Sequence, residues 1–192
     1  MERGWQPHSA TMIIRKARMD DIPAMLSLVN GYASLGVMLP RDEFELAESI
    51  RDFTVAEQDG RLLGCGALHF YTPTSAEVRS LAVLADGQGK GVGRRIVEAL
   101  EQEALHAGLH SLFAFTYVPG FFRRLGFHEV DRGHLPLKAW RDCLRCPKFQ
   151  CCDEVAVFKA MRQDLAQQMA AETGESQPVA LGSGPFTFPI LR

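Results

Sequence analysis

No apolar run in this chain approaches the roughly 20 residues a membrane span needs, so no transmembrane helix is expected. Residues 1–11 also lack the apolar core of a secretory signal, which makes a cytoplasmic location the expectation. An excess of one charge is missing too. Lys and Arg number 21 against 23 Asp and Glu, a net −2 that argues against a nucleic-acid binder with a basic face. Cysteine is scarce and poorly spread for a disulfide scaffold. Four of the five fall between Cys143 and Cys152, a pattern that fits a reducing compartment. What remains is ordinary: 192 residues, 46% hydrophobic and 23% charged, enough for one compact domain with extensions.

Glycine, by contrast, is concentrated. In Asp86-Gly87-Gln88-Gly89-Lys90-Gly91-Val92-Gly93-Arg94-Arg95 it occupies every second position and runs into an amphipathic helix. Glycine admits positive φ and lets backbone N–H groups approach a ligand that a Cβ would push away. The helix behind supplies unpaired N–H donors and a partial positive charge. Lys90, Arg94 and Arg95 add full charges, so the expected ligand is phosphorylated. Spacing separates the rival motifs. A P-loop needs Ser or Thr after its Gly-Lys, but Lys90 is followed by Gly91. A dinucleotide fingerprint needs G-x-G-x-x-G and an acid about 20 residues on; here the spacing is G-x-G-x-G, and 110–116 ends without an acid. The remaining pattern is Gln/Arg-x-x-Gly-x-Gly/Ala, matched by Gln88 to Gly93. A flexible loop at a helix start is the plain alternative.

Periodicity gives the frame. Residues 12–17 read as a strand, followed by a helix capped by Asp20 or Asp21, with Ile22, Met25, Leu26 and Val29 on one face. A loop over 31–40 and an acidic helix over 41–51 come next. Strands at 53–57 and 62–71 form a hairpin around Asp59-Gly60, and 77–84 leads into the glycine loop. The helix after the loop carries Val92, Ile96, Val97, Leu100 and Ala104 on one stripe and ends near Gly108. Strand 111–116, a short helix from Pro119 to Gly126, and strands 127–130 and 154–161 complete the order, which implies a mixed α/β sheet with helices on both faces. Residues 1–11 read as an extension and 12–162 as the domain. Residues 163–192 read as a polar helix to about 172 and a mobile tail.

The hexapeptide Gln88 to Gly93 resembles the pyrophosphate loop of the GNAT family of N-acetyltransferases, which bind acetyl-CoA. A second signature of that family, Phe-Tyr-x-x-x-Gly-Phe, is similar to Phe121-Phe122-Arg123-Arg124-Leu125-Gly126-Phe127, and the element order agrees. The likeness covers 12–162. Residues 79–83, 38–41, 143–149 and 151–154 also resemble the short, single-domain N-acetylglutamate synthases of bacterial arginine biosynthesis. The resemblance implies a GNAT fold, with a twisted, mostly antiparallel sheet of about seven strands. It implies acetyl-CoA as co-substrate and a small-molecule amino acid, most simply L-glutamate, as acceptor, with neither nucleic acid nor membrane as partner; a homodimer stays open.

The resemblance also places roles. The strand before the loop splays from its neighbour, and the backbone of Leu81, Ala82 and Val83 holds the acetyl carbonyl and the pantetheine arm. Gln88, Gly89, Lys90, Gly91, Val92, Gly93 and Arg94 would cradle the pyrophosphate. A fixed N–H at Val83 would stabilise the oxyanion that develops as an amine attacks, with no covalent enzyme intermediate. Strand alternation puts Glu77, Arg79, Leu81 and Val83 on one face, which makes Glu77 a candidate general base through water; a solvated acid is the competing reading. Arg41 and Arg79 are candidates to grip a substrate carboxylate, or else a surface arginine and a cross-strand ion pair. Where the family often has the Tyr that protonates the leaving thiolate, this chain has Phe122, which packs on pantetheine or in the core. Tyr117 substitutes for it, or water does. Cys143, Cys146, Cys151 and Cys152 offer a zinc set, with His134 and Asp153 in reach, but adjacent cysteines in a short loop favour reduced thiols without metal. Cys65 reads as core, and His69 as either cleft or structural. A catalytically silent acetyl-CoA sensor and a transferase for another small amine or a protein amine are the alternatives.

Overall fold

Two residues fix the first hairpin. Asp59 and Gly60 adopt φ of 53° and 74°, the pair of positive values that lets a two-residue turn follow the strand twist. They join β2 (Phe53–Gln58) to β3 (Arg61–Thr72), with Gln58 opposite Arg61. The computed structural model describes residues 11–135, 146 and 148–161. In it β1 (Ile13–Lys16) pairs antiparallel with β2, and β4 (Ser75–Val83) antiparallel with β3. Helices α1 (Ile22–Ser34) and α2 (Glu43–Glu48) lie between β1 and β2 in the chain. After β4 come α3 (Val92–His106), β5 (Ser111–Thr116), α4 (Pro119–Arg123), β6 (His128–Glu129) and β7 (Val155–Ala160). The sheet order is β1-β2-β3-β4-β5-β7-β6, antiparallel throughout except between β4 and β5. The expected mixed, mostly antiparallel seven-stranded sheet is present.

Alternation sorts the core into two layers. Leu68, Ala76, Val78, Leu112, Ala114 and Val157 face α3 and α4, packing on Val92, Ile96, Leu100 and Phe122. Phe53, Val55, Cys65, Ala67 and Ala82 face α1 and α2, packing on Met25, Val29, Leu46 and Ile50. Helices therefore cover both faces. Burial pushes the Cys65 thiol up to about 12, which keeps it an inert core thiol. Close approach of α3 depends on two glycines of β3. A Cβ on Gly64 would lie 2.8 Å from Ala82 O and 3.2 Å from Ile96 Cδ1, and one on Gly66 2.9 Å from Ile96 Cγ2.

Two helices differ from expectation. α1 continues through Gly31 to Ser34, so Tyr32 is helical and not part of a loop. The acidic helix is shorter than 41–51 because Asp42 starts it: its carboxylate accepts from Glu45 N–H at 2.7 Å, and Glu45 Oε2 accepts from Asp42 N–H at 3.3 Å. A separate turn over Ile50–Asp52 then leads into β2. The predicted C-terminal helix and tail lie outside the described residues, as does most of the N-terminal extension.

Asp21 does not act as a simple cap. Its carboxylate accepts from both terminal nitrogens of Arg15, at 2.7 and 2.8 Å, and from Arg18 N–H at 2.7 Å. Arg15 also donates to Glu57 at 2.6 Å, so one guanidinium ties β1, β2 and the start of α1 together. Hydrogen bonds from Arg15 hold the Asp21 carboxyl below the usual carboxylate range. A depressed folded value means that the stabilisation is present above about pH 4 and is lost as pH falls through the folded value. Asp21→Asn should therefore lower the urea midpoint at pH 7, and its gap to the parent should narrow on acidification to pH 3. A gap that stays constant between the two pH values would contradict this.

Candidate active site

β4 and β5 pair only at Ser75–Ser111, Ala76–Leu112 and Glu77–Phe113. Beyond that point they diverge, while β5 stays paired to β7 as far as Thr116 opposite Val155. The divergence opens a gap in the middle of the sheet. Leu84 N–H donates to Leu63 O at 2.8 Å, so the peptide groups of Val83, one residue back, point away from β3 and toward the gap. There the Tyr32 hydroxyl donates to Val83 O at 2.6 Å and accepts from Gln88 Nε2 at 2.6 Å. α1, the end of β4 and the glycine loop thus meet at one phenol.

The loop is built to bring backbone to that spot. Gly91 caps α3 with φ 81°, a conformation that a side chain disfavours. Arg95 N–H makes the first turn's bond to Gly91 O at 3.0 Å, which leaves Val92, Gly93 and Arg94 N–H as the open end of the helix. Gly93 sits under the Phe121 ring, where a Cβ would lie 3.4 Å from the ring edge. Gly89 (φ 73°), Lys90 and Arg94 are exposed at the mouth, with Arg94 3.8 Å from Glu98. Val92 points inward to the core, so it offers the loop its backbone only.

One expectation about β4 fails. Cys65 pairs with Ala82, but Ala67 pairs with Arg79, so β4 carries an extra residue between them. The bulge is marked by Ser80, a non-glycine residue at φ 51°. It reverses the alternation: Glu77 and Arg79 share the α1 face with Ala82, whereas Leu81 and Val83 pack toward α3. The four residues do not lie on one face. Glu77 is only 1% exposed, set between His69 on β3 and Phe113 on β5 in register. Tyr71 stacks against both flanking rings, at 5.0 Å from His69 and 5.6 Å from Phe113. His69 Nδ1 is 2.9 Å from Asp52 Oδ2.

The other candidates are dispersed. Arg41 comes from the segment before α2, its backbone N–H and C=O both held by the Asn30 side chain at 2.9 and 2.8 Å. Phe122 is 3% exposed, edge-on to Phe121 and Phe127 in the α3-side core. Phe121 is the ring that reaches the glycine loop. Tyr117, just past β5, accepts from Lys148 Nζ at 3.2 Å, and burial raises its phenol above the ordinary value. Cys143 lies outside the described residues. Of the rest, Cys151 is exposed, and Cys152 Sγ is 3.8 Å from Glu154 Oε2. Among the described residues, no three His, Cys, Asp or Glu side chains gather as a metal set. Sequence reasoning missed Tyr32, Phe121 and the Ser80 bulge. Tyr32 left a signal, because it continues the Met25–Val29 stripe of α1 by three residues, and Phe121 stood in the second signature without a role of its own.

A sheet that splays beside a glycine-capped helix fits an acyltransferase type of domain. The profile of the acetyltransferase (GNAT) family matches residues 25–129. An uncharacterized N-acetyltransferase of Chlorobaculum tepidum is 42% identical over 153 residues, 80% of this chain and 99% of that protein. An amino-acid acetyltransferase of Mycobacterium tuberculosis is 36% identical over 129 residues, 66% of this chain and 74% of the relative. Among solved structures, N-acetylglutamate synthase of Neisseria gonorrhoeae, complexed with coenzyme A and N-acetyl-glutamate, superposes with a TM-score of 0.71 at 26% identity. That match covers 81% of this chain and 36% of the larger enzyme. The chain belongs to the GNAT acetyltransferase family.

Proposed function

We propose that the protein transfers acetyl from acetyl-CoA to the α-amine of an amino acid, with L-glutamate as acceptor, the reaction that opens arginine biosynthesis. The carrying observation is the split between β4 and β5, which puts outward-facing peptide groups of Val83 beside the glycine-capped end of α3. The reading is supported by relatives named amino-acid acetyltransferases and by the synthase that binds N-acetyl-glutamate.

The backbone from Gln88 to Arg94 receives the pyrophosphate, with Lys90 and Arg94 neutralising it. The edge of β4 from Leu81 to Val83 receives the pantetheine arm, and Val83 N–H faces the carbonyl oxygen where negative charge develops. The amine forms the new C–N bond as the C–S bond breaks, and orientation of the two reactants supplies much of the acceleration. Glu77 takes the amine proton through water, because its burial keeps it from direct contact with a bulky acceptor. Arg41 and Arg79 engage the acceptor carboxylates. Tyr117 stays protonated at neutral pH, since burial raises its phenol, and so can return a proton to the thiolate.

Thiol release from acetyl-CoA against a panel of amines tests this reading. Turnover with glutamate, and not with aspartate, lysine or polyamines, is the expected result. Turnover confined to polyamines or a protein amine would replace the acceptor, and coenzyme A binding without any turnover would make the protein a sensor.

A further inference from the structure

Glu77 poses a problem of access. A general base must discharge its proton before the next cycle, and while product occupies the acceptor side this carboxylate, 1% exposed in the middle of the sheet, needs a second route. His69 is directly opposite it in the β3–β4 register, on the same face, where opposed side chains start about 5 Å apart at Cβ. Unlike Glu77, His69 reaches the surface: its side chain is 21% exposed and that of Asp52 is 32% exposed. Nδ1 of the ring is fixed by Asp52 at 2.9 Å, which leaves Nε2 as the other exchangeable position. Tyr71 stacks edge-on against the imidazole, further limiting how the ring turns.

We infer that Asp52 and His69 form a relay that carries the proton from Glu77 to solvent during acetyl transfer. The inference rests on the acetyl-transfer reading and extends it. Glu77 receives the proton lost by the amine and passes it to the imidazole. The imidazolium, stabilised by Asp52, releases it to water, and both side chains return to their starting states. Among the described residues, charged or titratable groups packed about this position include Asp52 from the turn before β2, Glu77 opposite it on β4, Arg79 two residues further along β4, and Tyr71 on β3. His69 has no place in donor binding, which uses β4 and the glycine loop.

NMR of the His69 ring nitrogens in the full chain gives a readout free of turnover. Asp52→Asn should change the Nδ1 signal, because it removes the carboxylate at 2.9 Å, and Glu77→Gln should change the Nε2 signal. An Nε2 signal unmoved by Glu77→Gln overturns the relay, whichever amine the enzyme acetylates. With the acceptor found by the panel, His69→Ala should lower kcat about a hundredfold with KM for acetyl-CoA unchanged. Added imidazoles should restore rate in proportion to their basicity. Rescue indifferent to imidazole pKa, or wild-type kcat in both His69→Ala and the better-packed His69→Gln, overturns it as well.

Discussion

Glu77→Gln should lower kcat for acetyl transfer about a hundredfold, the lower end of what a positioned general base contributes. KM for acetyl-CoA should stay within about twofold, because only the base function is removed and not the donor site. The pH profile carries the sharper information. If Glu77 is the base, parent and variant should differ in the pH dependence of kcat, and the difference is read from thiol release at a series of pH values. The substitution is nearly isosteric, so the sheet around it should persist. His69 and Phe113 remain opposite position 77, and the circular dichroism spectrum should match the parent. An unchanged pH profile would remove Glu77 from the chemistry and leave it as a buried structural acid.

Gly64→Ala is the second large effect, on stability instead of rate. Its new methyl carbon would lie 2.8 Å from Ala82 O, a backbone atom held in the β3–β4 ladder, and 3.2 Å from both Ile96 Cδ1 and Val83 Cγ2. Neither β4 nor α3 can yield alone, since Ile96 is fully buried in the same core. Overpacking of this kind costs about 2 kcal/mol, which lowers Tm by roughly 4–8 °C in a chain of this size. Gly31→Ala is the control: it lies within α1 with nothing inside 4 Å of the added carbon, and helix propensity predicts a small gain. Thermal melts of the pair separate steric necessity from mere glycine content. Equal melting points for the two variants would show that α3 is not seated on β3 as described.

Most of the frame was legible in the residues, for identifiable reasons. Asp59-Gly60 announces its turn because few other residues accept two consecutive positive φ values. The α3 stripe from Val92 to Ala104 is fully periodic, and all five of its apolar residues are buried. The bulge was not legible. Ser80 gives no local sign of positive φ, and the extra residue becomes visible only when β3 supplies the register. Consequently the sequence placed Glu77 and Arg79 with Leu81 and Val83, whereas the fold separates charge from apolar contact at that residue. The second helix failed for a different reason: Arg41 reads as a helix residue, but the Asp42–Glu45 reciprocal cap begins the helix after it. Tyr32 was hidden because Gly31 looks like a terminator, and α1 runs through it.

The three-residue junction between β4 and β5 has a consequence for how the molecule assembles. Strands β1 to β4 pair in chain order except for the two-helix excursion after β1, and β2–β3 is closed by a tight turn. β5 can join them only after the whole of α3 has crossed over, and β7 must then return to β5. Such distant pairings pay their loop-closure entropy before contact rewards them. The first four strands are therefore expected to pair first, with the junction at Ser75, Ala76 and Glu77 closing after them. The same short seam that opens the gap is thus also a long-range pairing, made across the whole of α3.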